Sequence, residues 1–424
     1  MMNIFQSFLF ILLVLSNSSL SLVVQDTDLD VPFEISGSTM GPIGYKVIIA
    51  QHPDTTTPTE LQSKVQATLD RVNQLMSTYI PESDVSRFNQ SKSTDFQDVD
   101  LETATVVQRA LQISNQTNGA FDITVGPAVN LWNFGPNKTE FKVPTDEQID
   151  SVRKLVGYEK LSVRMDPPAI SKSQPELKID LSAIAKGYAV DQVAKTLDEQ
   201  GCLQFMVEVG GEVFTRGERF GGGPWRVRVE RPAIKQQNLA NIAGISDLAM
   251  ATSGDYRNFV EHDGARLSHT IDPQTCRPVP HSLASACVIA EDCMTADALA
   301  TAIMVLGREK GIKLCEELGI QYLIAERDSD FGDELTQQIS KRFPLKDRFK
   351  AQAQSPKSIL PVFLGAAVVF GLMILAMAVG SIFANKPVQG SCGGLASVTN
   401  EDGEESCGIC SKPTSDCVER TVKS

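Results

Sequence analysis

Apolar residues recur at helical spacing in several stretches of the chain. In residues 59–77 the apolar positions lie on one face of a helix: Leu61, Val65, Leu69, Val72 and Met76. Residues 101–117 and 295–306 predict two further helices. The segment Tyr79 to Asn89 contains Pro81 and turn residues instead, and predicts a loop.

Other stretches alternate apolar and polar residues, as strands do. Residues 31–50 alternate around three glycines and predict a first hairpin. Further strands are predicted at 206–211, 225–229, 246–251 and 284–290. Since strands and helices do not alternate regularly along the chain, the pattern predicts an α+β fold rather than a doubly wound sheet.

Two glycine-containing stretches each allow two interpretations. Residues 119–135 are rich in glycine and aromatic residues. Their tight turns bring the backbone close to a flat or bulky ligand, or they form a packed loop around a buried Trp132. Gly210 and Gly211 either let the backbone approach a ligand or form a bulge.

A strand turns into a helix between Lys178 and Lys195. Helical spacing is shown by the apolar residues Leu181, Ile184, Tyr188, Val193 and Leu197. Ser182 or Asp180 is the predicted N-cap, so Lys186 lies in the first turns, where a cation opposes the helix dipole. A phosphate-bearing ligand bound at the helix N-terminus would remove that cost. The alternative is a surface lysine on an ordinary amphipathic helix.

The predicted helix 295–306 carries candidate metal ligands. Asp297 and Thr301 are four residues apart, so their oxygens share one helix face. A carboxylate and a hydroxyl are the oxygen ligands that suit Mg²⁺, which keeps waters and substrate phosphates around it. On spacing alone, the alternative is a Thr301 hydroxyl that donates to the Asp297 carbonyl.

His269 is the best candidate for a general base. The chain has only four histidines, and the unperturbed pKa of a histidine lies near the pH at which most enzymes work. Asp272 is the next candidate. With so few histidines, the sequence does not favour a His-rich metal site.

Composition narrows the class of protein. The 424 residues suffice for one large domain or two ordinary ones. The chain has 39 Lys+Arg against 52 Asp+Glu, a formal charge of −13, and so lacks the excess of cations with which proteins hold nucleic acid. A hydrophobic content of 42% predicts a packed core.

Apolar segments near both ends predict a membrane protein. Residues 4–15 are apolar and small polar residues follow, so 1–21 form either a signal peptide cleaved near Ser21 or an uncleaved N-terminal anchor. After a polar linker at 351–358, residues 359–384 contain no charged residue and are long enough to span a bilayer.

The two topology signals point in opposite directions. Basic residues cluster before the span: Lys346, Arg348, Lys350 and Lys357. Only Lys386 follows it closely, which would place the large domain in the cytoplasm. A working N-terminal signal places it outside, and large translocated domains override loop charge. We therefore expect a protein of the bacterial inner membrane with a periplasmic large domain and a cytoplasmic tail.

Four cysteines crowd the tail, residues 386–424: Cys392, Cys407, Cys410 and Cys417. A C-x₂-C pair plus two more thiols suits a Cys₄ site for iron, zinc or an iron–sulfur cluster. The alternative is a disordered, reduced cytosolic tail. The other five cysteines are scattered and do not predict a disulfide framework.

Five blocks of the chain resemble, in the same order, those of the ApbE family, the FAD:protein FMN transferases. They are Ser-Thr-Met-Gly at 38–41, the segment 78–89, Gly-Ala-Phe-Asp-Ile-Thr-Val-Gly-Pro at 119–127, Asp-Leu-Ser-Ala-Ile-Ala-Lys-Gly-Tyr-Ala-Val-Asp at 180–191, and the run 251–301. The resemblance implies a single ApbE-like flavin transferase domain over residues 30–350. The family pattern has glycine where this chain has Cys276, at a local turn.

The resemblance also implies a set of ligand contacts. It implies FAD contacts from Met40, Tyr79, Ala120, Phe121, Asp122, Asp180, Lys186 and Ile271. For Mg²⁺ it implies Asp297, Thr301 and the backbone oxygen of Ala183. Tyr79 and Phe121 suit ring stacking, and Lys186 suits the diphosphate. His269 would either take a proton or pack beside the flavin.

Residues 386–424 and the preceding span resemble NqrM, a maturation protein of the Na⁺-translocating NADH:quinone reductase. Together the two resemblances imply a membrane-anchored enzyme that uses Mg²⁺ to transfer FMN from FAD to a Ser or Thr hydroxyl of a client protein. Subunits of that reductase are the expected clients. The alternatives are an FAD pyrophosphatase that releases FMN and AMP, and a non-enzymatic flavin-binding or iron-delivery scaffold.

Overall fold

The structure is a computed structural model that describes residues 32–53, 56–135, 140–229, 241–255, 259–262, 264–328, 335–348, 397–399 and 405–407. The chain forms two compact units, Met1–Lys350 and Ala351–Ser424. Among the described residues, no helix combines the length and the apolar content needed to cross a membrane. The predicted N-terminal segment 1–21 and the predicted span 359–384 lie outside the described residues.

An eight-stranded sheet forms the centre of the first unit. In spatial order its strands are β1 (Phe33–Thr39), β2 (Ile43–Gln51), β6 (Gln204–Val209), β7 (Glu212–Arg216), β10 (Ala249–Gly254), β15 (Leu283–Ala290), β16 (Gln321–Arg327) and β17 (Leu335–Ile339). Every neighbouring pair is antiparallel. This arrangement confirms the predicted α+β class and the predicted hairpin at 31–50.

The helices confirm the apolar periodicity. They are α1 (Pro58–Met76), α2 (Asp84–Gln90), α3 (Leu101–Gln116), α4 (Gly126–Leu131), α5 (Asp146–Arg153), α6 (Ala185–Glu199) and α7 (Cys293–Leu318). A capping box between Thr57 and Glu60 starts α1. In α7 the backbone breaks at Gly307 (φ 75°, ψ 177°), so the predicted helix 295–306 corresponds to its first half.

Two local predictions were wrong. The predicted loop 79–89 contains α2, because the Ser83 hydroxyl accepts the Ser86 N–H (2.9 Å) and caps a helix there. The helix after Lys178 begins at Ala185 rather than at Ser182. The reason is that the Asp180 carboxylate accepts the Ser182 N–H (2.9 Å) and so forms a turn before the helix.

Smaller sheets complete the first unit. One contains β3 (Gln97–Asp98), β5 (Pro168–Lys172) and β4 (Leu161–Met165), and another contains β18 (Leu345–Arg348), β9 (Asn241–Ile245) and β8 (Trp225–Val229). Two hairpins are formed by β11 (Phe259–His262) with β12 (Ala265–Ser268), and by β13 (Ile271–Asp272) with β14 (Arg277–Pro278). In the second unit, β19 (Ser397–Thr399) pairs with β20 (Glu405–Cys407).

The central sheet is covered on both faces. Helices α1, α6 and α7 pack on one face, and the sheet of β8, β9 and β18 packs on part of the other. Strand β15 shows both contacts, since Ala286 and Val288 belong to the helix-side core while Cys287 and Ile289 belong to the core on the opposite face. Every residue of β15 is buried, and its sequence is apolar at every position except Ser285, because both faces of the strand are covered.

Candidate functional site

A cavity of about 1190 Å³ lies beside the N-terminal half of α6 and α7. It brings together most of the residues predicted as a site: Ala120, Phe121, Asp122, Asp180, Ala183, Lys186, His269, Ile271, Asp297 and Thr301. These residues come from distant parts of the chain. Their convergence supports a single site, somewhat larger than the roughly 300–1,000 Å³ of most small-molecule pockets.

Three residues predicted for the transferase site do not line this cavity, and of the predicted tail ligands Cys392, Cys410 and Cys417 lie outside the described residues. Tyr79 lies in the loop after α1 with 75% of its surface exposed. Met40 sits in the left-handed turn between β1 and β2 (φ 48°), half-buried against the helix-side core. Asp272 uses its carboxylate in its own turn, where it accepts the Gln274 N–H (2.9 Å) and the Thr275 hydroxyl (3.1 Å). The roles predicted for these three residues stay predictions.

Helices α6 and α7 approach each other at one glycine. A β-carbon at Gly187 would lie 2.3 Å from the carbonyl oxygen of Cys293, so only glycine permits this packing. Four residues later in α6, the Asp191 carboxylate accepts the N–H groups of Cys293 (2.8 Å) and Met294 (2.9 Å). Asp191 thereby satisfies two otherwise unpaired donors at the start of α7.

The ammonium of Lys186 lies between two buried carboxylates. Its Nζ atom is 2.6 Å from Oε1 of Glu212 and 3.5 Å from Oδ1 of Asp297. The side chains of Glu212 and Asp297 are 4% and 3% exposed. Burial alone would lower the pKa of Lys186, but the two carboxylates raise it above its ordinary value. Lys186 is therefore a half-buried cation paired with two carboxylates, which does not fit the alternative of a surface lysine on an ordinary amphipathic helix.

Sequence reasoning missed Glu212. It follows the turn at Gly210 and Gly211, whose φ angles of 63° and 107° place both residues in the left-handed region. The two glycines join β6 to β7 as a tight hairpin turn and not as a bulge. Burial raises the pKa of the Glu212 carboxyl. Its Oε2 atom is buried with no hydrogen-bond partner among the described residues.

Thr301 faces a second hydroxyl across the cavity wall. Its Oγ1 atom lies 3.1 Å from Oγ of Ser253, a residue of β10 that sequence reasoning also missed. Asp297 is held differently, since its Oδ2 atom accepts the backbone N–H of Gly187 over 3.1 Å. Ala183, in the turn before α6, lines the same cavity. The wall thus presents carboxylate and hydroxyl oxygens together.

The turn that contains Asp122 is fixed from within the protein. Its carboxylate accepts the N–H (2.8 Å) and hydroxyl (2.7 Å) of Thr124 and the N–H of Tyr158 (2.9 Å). Burial raises the pKa of Asp122. Trp132, in the same glycine-rich stretch, is buried and donates to the carbonyl of Cys276 over 2.8 Å. The packed loop around a buried Trp132 is therefore confirmed, while the approach of this backbone to a ligand stays a prediction, which the position of the stretch on the cavity wall allows.

Asn89 ties two of the site segments together, and sequence reasoning missed that role. Its side chain donates to the carbonyl of Ile179 and accepts the N–H of the same residue, both over 2.8 Å. The next residue, Asp180, donates its N–H to the carbonyl of Ile123 over 2.7 Å. Asn89 thus positions the chain just before Lys186. The sequence signal for this role was the position of Asn89 at the end of the family-like block 78–89.

His269 lies between β12 and β13 on the cavity wall. It is half-buried, and its ring packs edge-on against Phe134 with centroids 6.3 Å apart. The nearby turn is retained although Cys276 stands where the family pattern has glycine. Cys276 adopts a left-handed conformation (φ 53°), and its N–H donates to the carbonyl of Asp272 over 2.7 Å.

A half-buried lysine beside a wall of carboxylates and hydroxyls, at the start of a helix, suits the binding of a phosphate-bearing ligand. The chain belongs to the ApbE family, whose sequence profile matches residues 40–324. Residues 381–424 match a second family, the (Na⁺)-NQR maturation protein NqrM. The predicted resemblances are thus confirmed.

Known relatives agree with this assignment. The FAD:protein FMN transferase of Vibrio cholerae is 43% identical over 309 residues, which cover 73% of this chain and 92% of that relative. The Escherichia coli K12 enzyme of the same name is 40% identical over 273 residues, 64% of this chain and 78% of the relative.

Solved structures share the fold. The flavin transferase ApbE from Vibrio cholerae superimposes with a TM-score of 0.67 at 41% identity, and the match covers 73% of this chain and 97% of that one. The apo flavinyl transferase ApbE of Pseudomonas stutzeri gives the same TM-score at 36% identity, over 74% and 96% of the two chains.

Proposed function

We propose that this protein transfers FMN from FAD to a serine or threonine hydroxyl of a client protein. One observation carries the proposal. In a chain 43% identical to an FAD:protein FMN transferase, a half-buried lysine and an oxygen-lined wall meet in one cavity at the start of α6. The cavity volume of about 1190 Å³ leaves room for a dinucleotide together with an acceptor side chain.

The residues present fit a bound Mg²⁺. Among the described residues, no three His, Cys, Asp or Glu side chains form a metal cluster, so a cation here depends on mixed oxygen ligands. We propose Asp297, Thr301 and the backbone oxygen of Ala183. Two buried carboxylates face one ammonium in this wall, and this excess of negative charge favours a cation. When bound, Mg²⁺ would neutralise charge on the FAD diphosphate.

The remaining steps belong to the side chains of the protein. Lys186 would hold the diphosphate by charge, and the turn of Ala120, Phe121 and Asp122 would contact the flavin. The client hydroxyl oxygen would form a bond to the FMN phosphorus as the bond from that phosphorus to the AMP oxygen breaks. His269 would take the hydroxyl proton. Catalysis would come from positioning and charge neutralisation, as in phosphoryl transfer generally.

We further propose that the clients are subunits of the Na⁺-translocating NADH:quinone reductase, as the NqrM-like segment suggests. The tail cysteines Cys392, Cys407, Cys410 and Cys417 would bind iron, zinc or an iron–sulfur cluster for the same client. The apolar segments near both ends of the chain support a place in the inner membrane, with the transferase unit in the periplasm and the tail in the cytoplasm.

Mass spectrometry of a candidate client subunit after co-expression tests the reaction. The expected result is a mass gain of one FMN on a single Ser or Thr, absent when the enzyme is omitted. Incubation of the pure enzyme with FAD, Mg²⁺ and the client separates the rival functions. FMN released free would identify a pyrophosphatase, and FAD that remains intact and bound would identify a flavin-binding scaffold.

A further inference from the structure

We infer that Glu212 makes the binding of FAD depend on a divalent cation, by holding a surplus negative charge in the site until the cation arrives. This inference rests on the proposed function. It concerns a residue that the family resemblance did not assign a role, and it starts from the buried, unpartnered oxygen of Glu212 in the cavity wall.

The charges at the centre of the site do not balance. Lys186 contributes one positive charge, whereas the carboxyls of Glu212 and Asp297, once both are ionised, contribute two negative charges within 3.5 Å of its Nζ atom. With every carboxyl ionised, the cavity lining has the same sign, with four basic side chains, Lys46, Lys186, Arg226 and Arg228, against five acidic ones, Asp122, Asp180, Glu208, Glu212 and Asp297.

Glu212 has two oxygens with different surroundings. Oε1 lies 2.6 Å from the Lys186 ammonium, which favours the charged carboxylate. Oε2 is buried next to the Gly210 turn, where a β-carbon would lie 3.5 Å from it, and accepts no hydrogen bond from the described residues. An unpaired carboxylate oxygen in a buried site is costly, so this edge of the site favours the approach of positive charge.

The consequence for FAD follows from Coulomb's law. A diphosphate that enters beside Lys186 also approaches Glu212, and charge interactions are strong at a site screened from water. A divalent cation reverses the sign of the net charge, so cation and FAD should bind cooperatively. Because such coupling is reciprocal, FAD should raise the affinity for the cation by the same factor.

The test compares FAD binding by isothermal titration, without a client, in EDTA and in Mg²⁺, with chromatography to verify that FAD stays intact. For the wild-type protein we expect Mg²⁺ to tighten binding by at least about tenfold. Glu212→Gln removes the charge but keeps the shape. We expect this variant to bind FAD about tenfold more tightly than wild type in EDTA and to gain correspondingly less from Mg²⁺.

Glu208→Gln is the matched control. Glu208 lines the same cavity but is half-buried, so solvent should screen its charge. In Glu208→Gln, Mg²⁺ should therefore tighten FAD binding by the same factor as in wild type. Thermal unfolding of each protein verifies folding, and Glu212→Asn serves as a second neutral variant if Glu212→Gln does not fold.

Three results would overturn the inference. In the first, Glu212→Gln binds FAD more weakly than wild type by the same factor in both buffers, which would show that Glu212 only holds Lys186 in place. In the second, Glu212→Gln keeps the wild-type Mg²⁺ effect. In the third, Glu208→Gln changes that effect as much as Glu212→Gln does. If the wild-type protein binds no FAD in either buffer, that result would instead contradict the proposed function, on which the inference rests.

Discussion

The backbone N–H of Gly187 donates a hydrogen bond to the Oδ2 atom of Asp297 over 3.1 Å. This bond joins α6, which carries Lys186, to α7, which carries two of the proposed metal ligands, Asp297 and Thr301. It forms only because Gly187 lacks a β-carbon, which would lie 2.3 Å from the Cys293 carbonyl oxygen. The spacing between the Lys186 cation and the oxygen wall therefore depends on one glycine.

Gly187→Ala should disrupt this helix contact. The clash is with backbone atoms, which cannot rotate away, so we expect a loss of stability of about 1–3 kcal/mol and a loss of transfer activity. Denaturant unfolding measures the first effect. Gly44→Ala is the control for stability, because its β-carbon meets nothing closer than 4.0 Å. Equal stability of the two variants would contradict the account of this contact.

Asp297→Ala should abolish transfer and leave the fold intact. Residues that only hydrogen-bond to metal ligands and orient them contribute about 10–100-fold to metal affinity. Loss of a charged ligand itself should therefore lower metal affinity by at least that factor. The measurement is the transfer rate across a range of Mg²⁺ concentrations, with circular dichroism to monitor the fold. If the variant reaches the wild-type rate at low Mg²⁺, Asp297 is not a ligand.

His269→Ala should lower the transfer rate more than it weakens FAD binding. Loss of a general base costs about 10²–10⁴-fold in rate. The ring of His269 packs against Phe134, and since this contact does not involve FAD, its loss should affect FAD binding less than the rate. Rate and FAD affinity are measured on the same preparation. A parallel decrease in both would make His269 a binding residue that packs beside the flavin.

Asp191 should make stability depend on pH. Burial raises its pKa from 3.8 to about 7 in the folded protein, so the folded state keeps the proton that the unfolded state releases near pH 4. This contribution is therefore complete below about pH 4 and is lost as the pH rises to 7, at about 1.4 kcal/mol per pKa unit.

Asp191→Asn does not titrate and isolates the effect. The stability of wild type relative to this variant, from denaturant unfolding at several pH values, should decrease between about pH 4 and pH 7. A constant difference across that range would show that the Asp191 carboxyl is not perturbed in the folded state.

The tail should act separately from flavin transfer. Replacement of Cys392, Cys407, Cys410 and Cys417 by Ser should spare FMN attachment and impair assembly of the metal centre of the client. Thiolates bind metal only when reduced, as in the cytoplasm. Client flavin content and reductase activity are the two measurements. A fully active reductase from the Cys→Ser strain, or thiol labelling of these cysteines from outside intact cells, would contradict the split.

Periodicity in the sequence determined the long helices and the central strands, because each element buries one face and its apolar spacing records that face. The five blocks that resemble the ApbE family indicated that one site contains Lys186, Asp297, Thr301 and His269. Local hydrogen bonds decided the exceptions. The Ser83 cap starts helix α2 within the predicted loop, and because of the turn at Asp180, α6 begins later in the sequence than predicted.

Only the tertiary structure decided which side chains meet at the cavity. Glu212 lies in a short strand whose pattern carries no sign of chemistry, and it becomes part of the site because the hairpin at Gly210 places it 2.6 Å from Lys186. Asp272, in contrast, is close to His269 in sequence, but its carboxylate accepts a hydrogen bond within its own turn. Contacts between distant segments arise from sheet order and helix packing, which local spacing does not encode.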